Sequence, residues 1–180
     1  MKEIILLGTV ASGKTTTARL LSERLKKPAV SLDNLRFDYY REIGYDHEHM
    51  KMLHEKSGIM AAFQYGKIFD AYSIQRMLAN HRDCIFDFGG ANVVSGYNFD
   101  LRRIKKVLAP YENIVFLVPC KDNKATLDFI YSRREIKASD RELIEYLIYN
   151  HCNYEIARHT IFVMDKTPEE VCDEVLSRCS

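Results

Sequence analysis

Apolar residues Ile4 to Leu7 form an unbroken run closed by Gly8, the pattern of a strand buried on both faces. Beyond a short loop, Ala18, Leu21 and Leu25 recur at helical spacing within Thr15 to Lys26. Pro28 ends that helix, and a short strand is expected over Ala29 to Leu32. From Asp33 to His81 the pattern is helical, broken near Gly44 and Gly58, with Tyr65, Ile68, Phe69 and Tyr72 as one apolar stripe. Cys84 to Phe88 predicts a third buried strand, stopped by Gly89-Gly90 and followed by a helix burying Leu101, Ile104, Val107 and Leu108. A fourth strand is expected over Asn113 to Val118, then helices marked by Leu127, Ile130 and Tyr131 and by Leu143, Ile144, Leu147 and Ile148. Thr160 to Met164 predicts a fifth strand. Thr167, Pro168 and Glu170 spell a capping box that opens the last helix.

Strands alternating with helices predict an α/β fold whose mainly parallel sheet is covered on both faces, with ligands at the carboxyl ends of its strands. The 180 residues suit one domain, and 47% hydrophobic with 28% charged residues is an ordinary globular balance. Twenty-six Lys and Arg against 25 Asp and Glu leave a formal charge of +1, so no global field draws the chain to nucleic acid or an anionic membrane. The five cysteines are scattered without a CxxC pair, which reads as reduced structural thiols. The first apolar run is too short for a membrane span or secretory signal. A cytoplasmic protein, monomeric or weakly self-associating, is expected.

Gly8-Thr9-Val10-Ala11-Ser12-Gly13-Lys14-Thr15 fits the pattern GxxxxGK followed by Ser or Thr, between a buried strand and a helix as the mechanism of that motif requires. Backbone N–H groups of Val10, Ala11, Ser12, Gly13 and Thr16 are expected to converge on an anion at the positive end of the helix. Lys14 should reach the β- and γ-phosphates of ATP, and the Thr15 hydroxyl should ligate Mg²⁺.

Two acidic residues follow apolar strands. Asp87, in Cys-Ile-Phe-Asp-Phe, is a candidate Mg²⁺ partner, or else a carboxylate that caps the Gly89 and Gly90 amides or pairs with an Arg. Asp33, at the expected end of the second strand, is placed to orient or deprotonate an acceptor hydroxyl, or else to cap the helix that follows.

These features resemble the shikimate kinase and nucleoside monophosphate kinase group of P-loop phosphotransferases over nearly the whole chain, most strongly at the P-loop. The resemblance implies a three-layer P-loop kinase fold whose five-stranded parallel sheet has the order 2-3-1-4-5, helices covering both faces. Shikimate kinases end their second strand with Asp-x-Asp, where this chain has Ser31-Leu32-Asp33. Only the substrate-side Asp is matched, and Asp87 is positioned to compensate for the other. Their glycine triplet after the third strand is Gly89-Gly90-Ala91 here, which implies an acceptor site at Gly89 and Gly90. The resemblance sets Tyr154 and Ala157, in Asn-Tyr-Glu-Ile-Ala, against the family's Tyr-x-x-x-Ala helix, with one residue fewer between them here. The arginines that would bind shikimate's carboxylate are missing: the GExxFR segment has no counterpart, and Asn150 stands in the second position. Losing such bidentate partners costs on the order of a few kcal/mol, so a different acceptor is expected. Arg36 and Arg41 also lie where an adenylate-kinase-like segment would bind an acceptor phosphate, or else are two solvated helix arginines; the Pro-Arg that such kinases carry after the third strand is absent.

The resemblance further implies a lid over residues 132–142, with Arg133 or Arg134 facing the nucleotide and Arg141 near the γ-phosphate, and an acceptor-binding segment over 33–81. Arg102, Arg103, Lys105 and Lys106 alternate with an apolar face and read as solvated. His47, His49 and His54 lack the i, i+4 spacing of a helical metal site. The expected activity is Mg-ATP-dependent phosphotransfer to a hydroxyl of a small metabolite. The alternatives are a nucleoside monophosphate kinase and a nucleotide-dependent binding switch without an acceptor.

Overall fold

A computed structural model describes residues 2–95 and 98–179. Five strands, β1 (Ile4–Gly8), β2 (Ala29–Ser31), β3 (Ile85–Gly89), β4 (Asn113–Val118) and β5 (His159–Phe162), pair in parallel in the order β2-β3-β1-β4-β5. Among the described residues eight helices surround them: α1 (Lys14–Leu25), α2 (Leu32–Arg41), α3 (His47–Asn80), α4 (Asn98–Leu108), α5 (Asn123–Arg133), α6 (Ala138–Tyr149), α7 (Cys152–Ile156) and α8 (Pro168–Arg178).

Alternation along the strands divides the interior into two layers. Ile4 and Leu6 of β1 pack with Ile85, Val115 and Ile161 beneath α1 and α8, while Ile5 and Leu7 join Phe86, Phe88 and Phe116 beneath α2, α3 and α4. Burying each such side chain contributes about 1.5–3 kcal/mol, which explains why the central strands read as continuous apolar runs. A third cluster, Leu127, Ile130, Ile144 and Ile148, joins α5 to α6 and packs against Val10 and Ala11 in the loop after β1.

Several boundaries depart from expectation. Asp33 does not end β2: Ser31 is the last extended residue and stands at the N-cap position of α2 without a side-chain cap, and Leu32, the first residue of α2, is fully buried, so Asp33 lies in the first helical turn. β5 spans His159–Phe162 rather than Thr160 to Met164. The break near Gly58 is a kink, with φ 84° and ψ 177°. The expected stripe on α3 is also rotated. Ile68 is 53% exposed, whereas Lys67, Asp70, Ala71, Ile74 and Met77 face inward, because Lys67 and Asp70 enter the interior as an ion pair. The expected capping box is present, with Glu170 N–H donating to Thr167 Oγ1 and Thr167 N–H to Glu170 Oε2.

Candidate active site

The apolar end of β1 delivers the chain to a loop that turns back over the sheet edge. Gly13, at φ 75°, occupies the left-handed region and serves as N-cap of α1 without a side-chain cap, and the first turn of α1 carries no acidic residue. Its leading N–H groups are therefore directed toward the cleft at the positive end of the helix. Thr9 Oγ1 and Ser12 Oγ are buried without partners, orphaned polar atoms in a loop whose backbone already points toward an anion site.

β3, hydrogen-bonded to β1 along its length, brings Asp87 alongside this loop. Lys14 Nζ forms an ion pair with Asp87 Oδ1, and the Thr15 hydroxyl donates to Asp87 Oδ2 at 3.1 Å. Lys14 and Asp87 are largely buried, with side-chain exposures of 11% and 5%. Thr15 and Asp87 thus gather hard oxygen donors at the mouth of the loop, the donor type that Mg²⁺ prefers. Among the described residues no group of three or more His, Cys, Asp or Glu side chains could hold a metal ion.

After β3 the chain crosses directly over the loop. Gly90 N–H donates to the Gly8 carbonyl at 2.8 Å, and Asn153 Nδ2, from α7, donates to the Gly90 carbonyl at 3.1 Å. A β-carbon on Gly90 would come within 2.7 Å of the Gly8 oxygen, so only glycine permits this approach. The Asp33 carboxylate lies over Gly89, and Arg36 Nη1 is 3.5 Å from Asp33 Oδ1. The result is a cleft of about 420 Å³ lined by Gly8 to Thr16, Asp33, Gly89 to Ala91, Ile130, Arg134, Ile144, Leu147, Ile148 and Asn153.

The arginines expected in a lid take separate places. Arg134 lines the cleft, because the backbone becomes extended there (φ −147°, ψ 130°) as α5 ends. Arg133, the last residue of α5, places its guanidinium 4.5 Å over the Phe129 ring, away from the cleft lining, and Arg141 lies 5.4 Å over Tyr131. Arg41 pairs with Asp38 at the surface. Asn150 accepts the Cys152 N–H at 2.9 Å, so it caps α7.

Two features went unread in the sequence. Asn153 tethers the glycine turn through Gly90. Lys67 Nζ, buried, donates to both Asp70 Oδ2 and the Ala91 carbonyl, and the Tyr40 hydroxyl donates to the other Asp70 oxygen. Burial pushes the Asp70 carboxyl upward against the pull of Lys67 and Tyr40, and burial beside Asp70 raises the Tyr40 phenol. The signal available was a Lys and an Asp three positions apart among the apolar residues of the second half of α3.

The strand order, the glycine loop and the crossing turn together define the P-loop kinase fold of the shikimate kinase and nucleoside monophosphate kinase type. Solved structures with this architecture include shikimate kinase from Acinetobacter baumannii in complex with shikimate, 17% identical, with TM-score 0.62 over 98% of this chain and 92% of that one. Gluconokinase from Sinorhizobium meliloti is 14% identical, with TM-score 0.54 over 98% and 90%. The Bacillus subtilis YorR protein in complex with phosphorylated GDP is 18% identical, with TM-score 0.55 over 97% and 94%. No family model matches the chain, and no curated protein matches it. At these identities the likeness is one of fold. Among the described residues no helix is long and apolar enough to cross a membrane.

Proposed function

We propose that the protein is a Mg-ATP-dependent phosphotransferase that moves the γ-phosphoryl group of ATP to a hydroxyl of a small molecule. The observation that carries this reading is the convergence of Lys14 and Thr15 on Asp87 at the loop mouth, with Asp33 across the same cleft. The backbone of the loop and Lys14 bind and orient the phosphates, and nucleotide binding draws Lys14 from Asp87 toward them. Thr15 and Asp87 hold the metal, directly or through water. Bound Mg²⁺ supplies charge neutralisation on the transferring group.

Asp33 holds the acceptor hydroxyl in line and takes its proton. The acceptor oxygen bonds to the γ-phosphorus, the bond from that phosphorus to the ADP oxygen breaks, and the proton passes through Asp33 to solvent. Arg134 contributes planar N–H donors where charge spreads over the phosphoryl oxygens.

Coupled ADP release over a panel of small hydroxyl compounds tests the reading, with nucleoside monophosphates as a separate arm. Removing Lys14 alone would strand Asp87 as a buried charge, a loss of up to about 3–5 kcal/mol when the partner is fully buried. The informative variant is therefore Lys14→Met with Asp87→Asn. It is expected to stay folded while losing ADP release; retained turnover in that variant would overturn the proposal.

A further inference from the structure

Beside the nucleotide cleft lies a second cavity of about 380 Å³ bounded by α2, α3 and α6, and the two share Ala91 as a common wall. Its lining is aromatic at several points. Phe37 and Tyr40 of α2 and Tyr45 of the following loop have ring centroids 5.4 to 5.7 Å apart, and Phe63 contributes from α3. Met50, Ile59 and Leu143 fill much of the rest. No carboxylate is part of the lining; its charged or titratable groups are Arg36, Lys67, His54 and the phenols of Tyr40 and Tyr45.

The two cations differ in what they have left to offer. Lys67 is spent on Asp70 and the Ala91 carbonyl and sits 4.5 Å over the Phe63 ring. With Asp70 behind it, the pair adds little net charge. Arg36 lies 4.8 Å over the Phe37 ring, its Nη1 is 3.5 Å from Asp33, and its Nε is buried without an acceptor. The Arg36 side chain is 31% exposed, and its Nη groups offer an incoming anionic oxygen charge-assisted hydrogen bonds.

Resting on the phosphotransfer reading above, we infer that this cavity receives the acceptor, and that the acceptor is a small planar ring compound bearing one anionic group. The anion meets Arg36 and the ring lies among the aromatic walls. The hydroxyl reaches Asp33, which is one helical turn from Arg36 on α2. The volume lies at the lower end of ligand sites, enough for a single substituted ring. A polyol is disfavoured here, since each buried hydroxyl needs a polar partner and these walls supply few. Transfer follows the balance already given: oxygen to γ-phosphorus, ADP released, proton to Asp33.

The test uses the full chain with Mg²⁺ and a non-hydrolysable ATP analogue in calorimetry, and with ATP in ADP release. The probes are hydroxymethyl benzoates and hydroxymethyl phenyl phosphates, the matched neutral benzyl alcohols, polyol carboxylates such as gluconate, and nucleoside monophosphates. Ring anions are expected to bind at least ten-fold more tightly than the neutral rings or the polyols. Arg36→Met should remove that preference, and Tyr45→Leu should weaken both ring classes, each with ATP affinity unchanged. Preference for polyols, equal binding of neutral rings, or binding of ATP with no ring probe bound would overturn the inference. Ring anions that bind without ADP release uphold the cavity assignment and remove the phosphotransfer reading. Turnover of a nucleoside monophosphate upholds ring and anion but moves the attacking oxygen from hydroxyl to phosphate. Failure of ATP itself to bind removes the phosphotransfer reading on which the inference rests, and the inference falls with it.

Discussion

Replacing Gly90 by alanine adds one methyl group at the point where the turn after β3 crosses the P-loop. The new carbon would stand 2.7 Å from the Gly8 oxygen and 3.2 Å from the Gly8 carbonyl carbon, both backbone atoms that a rotamer change does not relieve. The loop or the turn must retreat by roughly half an ångström, and the Gly90 N–H to Gly8 bond at 2.8 Å is strained in the process. Overpacking of this kind costs about 1–3 kcal/mol, which for a domain of this size lowers the melting temperature by about 2–12 °C. Because the carbonyl that moves begins the phosphate-binding loop, affinity for Mg-ATP should fall about ten-fold, equivalent to about 1.4 kcal/mol. Urea and thermal denaturation give the first quantity and calorimetric titration with Mg-ATP the second. Gly66→Ala is the control: it lies inside α3 with nothing within 4 Å of a new β-carbon, so helix propensity should add up to about 1 kcal/mol of stability. A Gly90→Ala protein within about 0.5 kcal/mol of wild type and with unchanged nucleotide affinity would refute the close approach.

Arg134→Ala is expected to lower kcat by one to two orders of magnitude with little effect on melting temperature, whereas Arg133→Ala should stay near wild type; equal losses would contradict the separation of these side chains. The capping box gives a pH-dependent expectation. Hydrogen bonds from Thr167 hold the Glu170 carboxyl below its ordinary range, so its contribution is present above the unfolded carboxylate pKa and disappears as pH falls through the folded one. Glu170→Ala should therefore be less stable than wild type at neutral pH, with the difference closing in acid, as read by urea midpoints across a pH series. Lys67→Met leaves Asp70 buried beside Tyr40 without its cation and should destabilise the fold, while Lys67→Met with Asp70→Leu should recover much of the loss.

The parts of the fold legible in the sequence were those whose signal is local. β4 begins and ends at Asn113 and Val118 as the apolar run does, and α8 starts at Pro168 as its cap dictates. The loop from Gly8 to Thr15 could be read because its spacing encodes a backbone path. What stayed hidden depends on partners distant in the chain. Asp70 stands three positions from Lys67, but nothing near them announces that the Ala91 carbonyl will complete the set and draw the pair inward, so the aromatic stripe points to a different face of α3, one that includes the exposed Ile68. Arg133 and Arg134 are equivalent in composition. Only the end of α5 between them decides which one meets the cleft. α7, five residues long, is too short for periodicity to mark, although Tyr154 and Ala157 signalled a helix there through resemblance.

The Gly89-to-Ala91 turn is anchored from three directions: by Gly8 at the end of β1, by Asn153 on α7, and by Lys67 on α3. A partition fixed in this way makes the two cavities thermodynamic correspondents. Any occupant of one that shifts Ala91 changes the affinity of the other by some factor, and the reciprocal effect has the same size. On the phosphotransfer reading, a substitution on α3 that shifts Ala91 would therefore register as altered nucleotide affinity, even where the substituted residue does not touch the nucleotide.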